Sequence, residues 1–421
     1  MSIPKISESP GVISFDFEEE KLCIKVKRVR AHADGRVVGE LIITTSQDET
    51  HPHLKQCLFN FAVDRSRKEL ANSMSAVYPL PAPGWPSTIE ALCVKVLEIV
   101  RRGEPVEELN PDEKMESPRF IIEPLILEGE TNLIYGEGGS GKSTLALLCC
   151  QIAETNWWDN PLDLKLATGP GIRTLYLDWE THNKILLWNH IKLLRGTGQA
   201  FFKLRYRHCA APLAEDIEQI QELIDALKIQ MIVIDSAGMA AGGDLNKSET
   251  ATSFFKALRS LKITSLLISH TSKDLITRKK TPFGSVYWFN ESRNIFELNH
   301  VVSEDGNRIS LGLFHRKANN SRLYRPIGFE FTYLEDMIVL DSQDIKTVAG
   351  LLEHLTISTR IIELLKKGSM TAADISQELD IKLGSVKVTL SQMKGRGKVI
   401  NLDNKEWGLT SPLPEEDKTG S

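Results

Sequence analysis

The run Gly136-Glu137-Gly138-Gly139-Ser140-Gly141-Lys142-Ser143-Thr144 constrains this chain more than any other stretch. It fits the spacing G-x-x-x-x-G-K-[S/T], with an apolar strand pattern before it (Thr131–Tyr135) and an apolar helical stretch after it (Thr144–Ala153). Strand, glycine loop and helix in that order demand an α/β layer around them. Glycines let consecutive backbone N–H groups turn inward around a phosphate with no Cβ in the way. Lys142 is spaced to reach the β- and γ-phosphates, the Ser143 hydroxyl to ligate Mg²⁺, and the helix N-terminus to face the same anion. Such a pattern arises by accident in about 1–2% of chains of this length, so ATP and Mg²⁺ are the expected ligands.

A metal at that loop needs a carboxylate at the end of a neighbouring strand. Met231-Ile-Val-Ile-Asp235 supplies one: four apolar residues, then an acid at the strand's C-terminal edge. Mg²⁺ keeps several waters, which puts Asp235 in contact with it through water. Leu175-Tyr-Leu-Asp178-Trp-Glu180 offers two carboxylates, which an extended backbone would turn to one side. One of them is a candidate to orient the attacking water; the other reading is a cap, Asp178 or Thr181, ahead of a helix at Asn183–Leu194.

The chain has 421 residues and a net charge of -5, long enough for two or three domains. It lacks an apolar run of membrane-spanning length and a basic-then-apolar leader, so a cytoplasmic protein is expected, in the host cytoplasm if a phage encodes it. The six cysteines contain no C-x-x-C pair and read as reduced thiols. Residues 1–115 read as a small α+β domain: strands at Lys21–Arg28 and Val37–Thr44, helices at Leu54–Ser75 and Ser87–Arg102, and a proline-rich break between the helices. Residues 116–345 alternate apolar runs with helical patterns, as a parallel sheet flanked by helices does. Residues 346–410 read as three helices and a hairpin, a winged helix, and 411–421 as a disordered tail.

The order of these blocks is similar to the RecA-like branch of ATPases; in the AAA+ branch the catalytic Glu directly follows the metal Asp, where Ser236 stands here. Asp235-Ser-Ala-Gly-Met-Ala-Ala-Gly-Gly-Asp244 and Leu266-Leu-Ile-Ser-His-Thr-Ser-Lys273 resemble the RepA-type hexameric replicative helicases of plasmids and phages. So do Pro282–Asn290 and Phe314–Asn320, and the resemblance covers about residues 119–342. It implies a RecA-like core with Glu180 as the water-activating carboxylate and His270 as a sensor of the γ-phosphate. It also implies an arginine entering a neighbouring subunit's site, with Arg293 and Arg316 as candidates and Arg316 beside Lys317 preferred, and hence a homo-oligomer, by family habit a hexamer.

The basic loop after the sensor strand holds Lys273, Arg278, Lys279 and Lys280. In RecA-like rings it faces the central channel, where these cations would contact single-stranded DNA phosphates; a solvated charged loop is the alternative. On the third C-terminal helix Lys387 and Lys394 alternate with apolar anchors Val386, Leu390 and Met393, a face suited to double-stranded DNA, although winged helices also dock proteins. The basic excess there is small, 10 Lys/Arg against 7 Asp/Glu over residues 346–410. Trp157-Trp158 reads as packing rather than a base-stacking platform. The expected function is an ATP-driven DNA motor. The alternatives are an ATP-switched DNA-binding regulator and a recombination ATPase that does not unwind.

Overall fold

The computed structural model describes residues 3–9, 11–31, 34–47, 52–102, 117–167, 169–273, 280–282, 286–402 and 404–410, with the backbone alone at Arg30, Ser272, Lys273, Lys280–Pro282 and Ala349. The expected tail at 411–421 lies outside these residues, as does the charged stretch 104–116. The chain divides into two compact units. One comprises Met1–Ser117, Cys209–Gln230 and Met239–Ile263; the other Pro118–His208, Met231–Gly238 and Thr264–Ser421. Two stretches that the sequence reading placed in the ATPase core, 209–230 and 239–263, thus belong to the N-terminal unit.

The N-terminal unit is built on a five-stranded antiparallel meander, Lys5–Ser9, Val12–Phe17, Leu22–Ala31, Val37–Thr45 and His53–Asn60. Along Val37–Thr45 every second residue is buried, the alternation of a sheet with one face on a core. That core takes in Phe15, Ile24, Leu41, Phe61, Trp85 and Ile89. The expected helix at Leu54–Ser75 is corrected here. Its first part pairs with Val37–Thr45 as the fifth strand, and the helix runs only over Asp64–Val77. The run Leu54–Asn60 can satisfy its backbone on the sheet edge, which local pattern cannot show. The next helix starts at Gly84, not Ser87, with Pro86 in its first turn, where a missing N–H costs nothing. Helices Leu213–Leu227 and Ser248–Ser260 complete the unit. Lys27 pairs with Glu222 at 2.5 Å.

The second unit holds a ten-stranded sheet. Its strands are β1 (Thr131–Gly136), β2 (Thr174–Asp178), β3 (Arg205–His208), β4 (Met231–Asp235), β5 (Thr264–Lys273), β6 (Asn294–Val302), β7 (Arg308–Ala318), β8 (Ile327–Tyr333) and β9 (Ile338–Ser342). The spatial order is β3-β2-β4-β5-β1-β6-β7-β8-β9, and Lys280–Pro282 pairs antiparallel with the end of β5. From β3 to β6 every pairing is parallel; from β6 to β9 every pairing is antiparallel. All residues of β1, β2 and β4 are buried, as parallel strands covered on both faces must be. Strands β3 and β6 were not foreseen. β3 is four residues long and two of them are arginines; β6 mixes Asn, Glu and His into its apolar run.

Helix α1 (Lys142–Thr155) follows the glycine loop and is buried along most of its length; α2 (Asn183–Thr197) follows β2. Under the loop strand, Asn132 donates to the Leu127, Glu130 and Ser265 carbonyls, and Asn294 donates back to Asn132. This buried amide network fixes β1 against β5 and β6. Residues beyond 346 form helices Ile357–Leu365, Ala372–Glu378 and Leu383–Gly395 and a three-stranded antiparallel sheet around their own apolar core. Trp157 is buried in the main core and Trp158 is 78% exposed. Among the described residues no helix is long and apolar enough to cross a membrane.

Candidate active site

Register places the candidate residues along one edge of the sheet. Asp178 at the end of β2 lies opposite Asp235 at the end of β4, which lies opposite Ile268; two residues further along β5, His270 lies opposite Gly136 of β1. Adjacent strands are about 4.8 Å apart, so the carboxyl ends of four neighbouring strands form a continuous rim, where open α/β sheets bind ligands.

The loop wraps its own lysine. Gly139 and Gly141 take left-handed backbone (φ 74° and 76°), which a side chain would strain. Lys142 Nζ donates to the carbonyls of Gly136 at 3.1 Å and Glu137 at 2.6 Å and lies 3.4 Å from Ser140 Oγ. Burial pushes the Lys142 amine below its ordinary range, while Asp235, Glu180 and Glu137 pull it back. Thr144 shares a hydrogen bond with the Tyr333 hydroxyl (3.1 Å), fixing the start of α1 to β8.

Asp235 is 3% exposed. Burial raises its pKa, and hydrogen bonds from the Tyr176 and Ser143 hydroxyls oppose the rise. Tyr176 donates to Asp235 Oδ2 at 2.6 Å. A buried carboxylate held by hydroxyls beside the Ser143 side chain suits a hydrated divalent cation, so Ser143 and Asp235 fit the Mg²⁺ that the loop implies. The peptide between Asp235 and Ser236 is cis.

Glu180 lies beyond β2, in a turn, which corrects the expectation that Asp178 and Glu180 share one face of a strand. Ser236 Oγ donates to Glu180 Oε1, and His270 Nε2 lies 3.5 Å from the same oxygen. The hydrogen bond with His270 is the largest influence holding the Glu180 carboxyl below the usual range; burial works against it and Ser236 with it. Asp178 Oδ1 accepts the N–H groups of Glu180 and Thr181, both at 2.9 Å. Glu180, Asp235, His270, Lys142 and Ser143 therefore converge. Ser236 and Tyr176 join them as residues whose roles the sequence reading did not assign, and Asp178, read there as a water-orienting or capping acid, bonds to the Glu180 and Thr181 N–H groups.

The other candidates lie elsewhere. Arg316 donates to Glu297 at 2.7 Å and lies over the Phe314 ring at 4.9 Å, so its guanidinium is engaged within its own chain. Lys317 donates to the carbonyls of Phe289, Asn290 and Ser292, each at 2.8 Å, and closes the end of the short helix Val286–Glu291. Arg293 is exposed. Arg278 and Lys279 lie outside the described residues, and Lys273 and Lys280 pair through their backbones at the base of that loop. On Leu383–Gly395, Lys387 and Lys394 are exposed while Val386, Leu390 and Met393 are buried.

Residues 101–275 match the AAA domain family, under half of the chain, in a stretch that contains the loop, Glu180, Asp235 and His270. Among solved structures, a KaiC-like protein from the hyperthermophilic archaeon Pyrococcus horikoshii OT3 aligns at 17% identity and a TM-score of 0.36, covering 56% of this chain and 99% of that one. No curated protein matches the chain. The family match falls on the stretch that forms the rim, and the chain carries a P-loop ATPase-type domain on a large, mostly parallel sheet.

Proposed function

We propose that this chain is a RecA-like ATPase that hydrolyses ATP as a homo-oligomer to move along or remodel DNA, of the RepA-type replicative helicase kind. The observation that carries the hydrolytic part is the convergence of Lys142, Ser143, Asp235, Glu180 and His270 on one rim. The glycine loop and Lys142 bind the phosphates. Lys142 is released from the Gly136 and Glu137 carbonyls when phosphate oxygens take their place. Ser143 and Asp235 would hold Mg²⁺, which would supply the positive charge that offsets the phosphates. Glu180, ionised at neutral pH, orients a water for in-line attack and accepts its proton. His270 lies against that carboxylate and is placed to exchange it for the γ-phosphate, which makes it a sensor.

Two surface features support assembly. Ile185 and Trp188, one turn apart on α2, are 54% and 49% exposed, an apolar face of the kind that subunit contacts cover. With Arg316 tied to Glu297, the exposed Arg293 becomes the residue we assign to the neighbouring subunit's site. The basic loop 273–280 is assigned to single-stranded DNA, and the helix Leu383–Gly395, with Lys387 and Lys394, to duplex contact in a winged helix. The test is ATP turnover by the purified protein, alone and with single- or double-stranded DNA, across a salt series. Stimulation by single strands that fades with salt supports the motor. Slow turnover indifferent to DNA replaces it with a nucleotide-switched DNA-binding regulator.

A further inference from the structure

Glu180 stands two residues past the end of β2, so the turn after that strand, and not the strand's pleat, sets the direction of its side chain. Asp178 closes this turn. One carboxylate oxygen accepts the Glu180 and Thr181 N–H groups, both at 2.9 Å. The other accepts the Tyr206 hydroxyl at 3.2 Å, and that hydroxyl is also 3.2 Å from the Thr181 carbonyl. Trp179, between the two acids, donates its backbone N–H to the Asp235 carbonyl at 2.7 Å. Asp178 itself is 1% exposed, so its carboxylate is engaged by these partners rather than by bulk water.

Helix capping does not account for Asp178. The helix α2 begins at Asn183, its N-cap position is His182, and no side chain caps it. The Asp178 bonds go instead to Glu180 and its successor. We propose that Asp178, backed by Tyr206, is a positioning residue that fixes the backbone of Glu180 so that its carboxylate meets the attacking water, without itself touching ATP. This rests on the reading of Glu180 as the water-activating group. Glu180 is then held at two ends, its backbone by Asp178 and its carboxylate by Ser236 and His270.

The experiment compares full-length Asp178→Ala, Asp178→Asn, Tyr206→Phe, Glu180→Gln and the double variant Asp178→Ala/Glu180→Gln. It reads kcat, KM, binding of a fluorescent ATP analogue, and Tm. Misplacing a reacting group by an ångström costs about 10²-fold, so Asp178→Ala should lower kcat by about that factor with analogue affinity unchanged. Asp178→Asn should retain most of the wild-type kcat, because its amide oxygen still accepts both N–H groups and its NH₂ can donate to Tyr206. Adding Asp178→Ala to Glu180→Gln should lower turnover no further, since residues acting as one unit are not additive. If Asp178→Ala does not fold, Tyr206→Phe carries the test, with a fall in kcat of about fivefold to tenfold expected. The proposal is overturned if Glu180→Gln is inactive while Asp178→Ala, or failing it Tyr206→Phe, turns over at the wild-type rate. It is also overturned if the double variant loses activity multiplicatively. Wild-type turnover by Glu180→Gln overturns it differently, by removing the reading of Glu180 on which it stands.

Discussion

Glu180 works against its surroundings: burial favours the neutral acid, and His270 and Ser236 keep it ionised. A carboxyl held below its ordinary range loses its charge only as the pH falls through that lowered value, so the acid limb of the rate profile should lie below the usual carboxylate range. Replacing His270 with Ala removes the largest of the lowering influences. The acid limb of the remaining activity should then move to higher pH; a profile measured from pH 4 to 8 that does not shift would remove His270 from this role. Lys142→Ala should abolish hydrolysis, because the loop then presents no cation to the phosphates, and phosphate release measured over hours checks it. At this scale the sequence was partly legible. Lys142, Ser143 and Asp235 follow from a pattern of residue types along the chain. Ser236 and Tyr176 do not, because their partners lie 56 and 59 positions away and meet them only once β2 and β4 pair in register. Asp178 was legible as an acid beside the site, but its bonds to the Glu180 and Thr181 N–H groups follow from where the strand ends.

Elements are held by close backbone approaches as much as by apolar burial. Gly196 sits inside α2 despite its poor helix propensity, and a Cβ there would lie 1.9 Å from the Ile338 carbonyl oxygen of β9. Gly196→Ala should therefore lower stability by about 2–3 kcal/mol, read as a fall in Tm, whereas the same change at the exposed Gly384, which meets nothing within 4 Å, should not. The basic stretch after β5 belongs to this scale as well. Charge reversal at Arg278, Lys279 and Lys280 should weaken single-stranded DNA binding while leaving DNA-free turnover intact, as fluorescence anisotropy and phosphate release would show together. The parallel strands β1, β2, β4 and β5 were readable because continuous burial makes them continuous apolar runs. The strand at His53–Asn60 was not, since its pattern suits a half-covered edge as well as a helix and pairing decided between them. Strand β6 was obscured by Asn294, Glu297 and Asn299, polar residues in a buried run; Asn294 donates to Asn132 of β1 and Glu297 accepts from Arg316 of β7.

For the whole molecule, the N-terminal unit includes the two excursions of chain that flank β4, residues 209–230 and 239–263. The ATPase sheet and the N-terminal meander are therefore interleaved along the sequence, which a division of the chain into consecutive domains could not anticipate. The DNA-directed reading belongs to this scale too. Turnover stimulated by single strands should fall as salt rises, and Lys387→Glu with Lys394→Glu should weaken duplex binding without changing the DNA-free rate. The central claim, that this rim hydrolyses ATP with Glu180 orienting the water, is tested most directly by steady-state phosphate release from wild type and Glu180→Gln, with nucleotide binding measured on both. The account predicts that Glu180→Gln binds ATP as the wild type does and loses turnover by about 10²-fold or more. Hydrolysis by Glu180→Gln at the wild-type rate would contradict it.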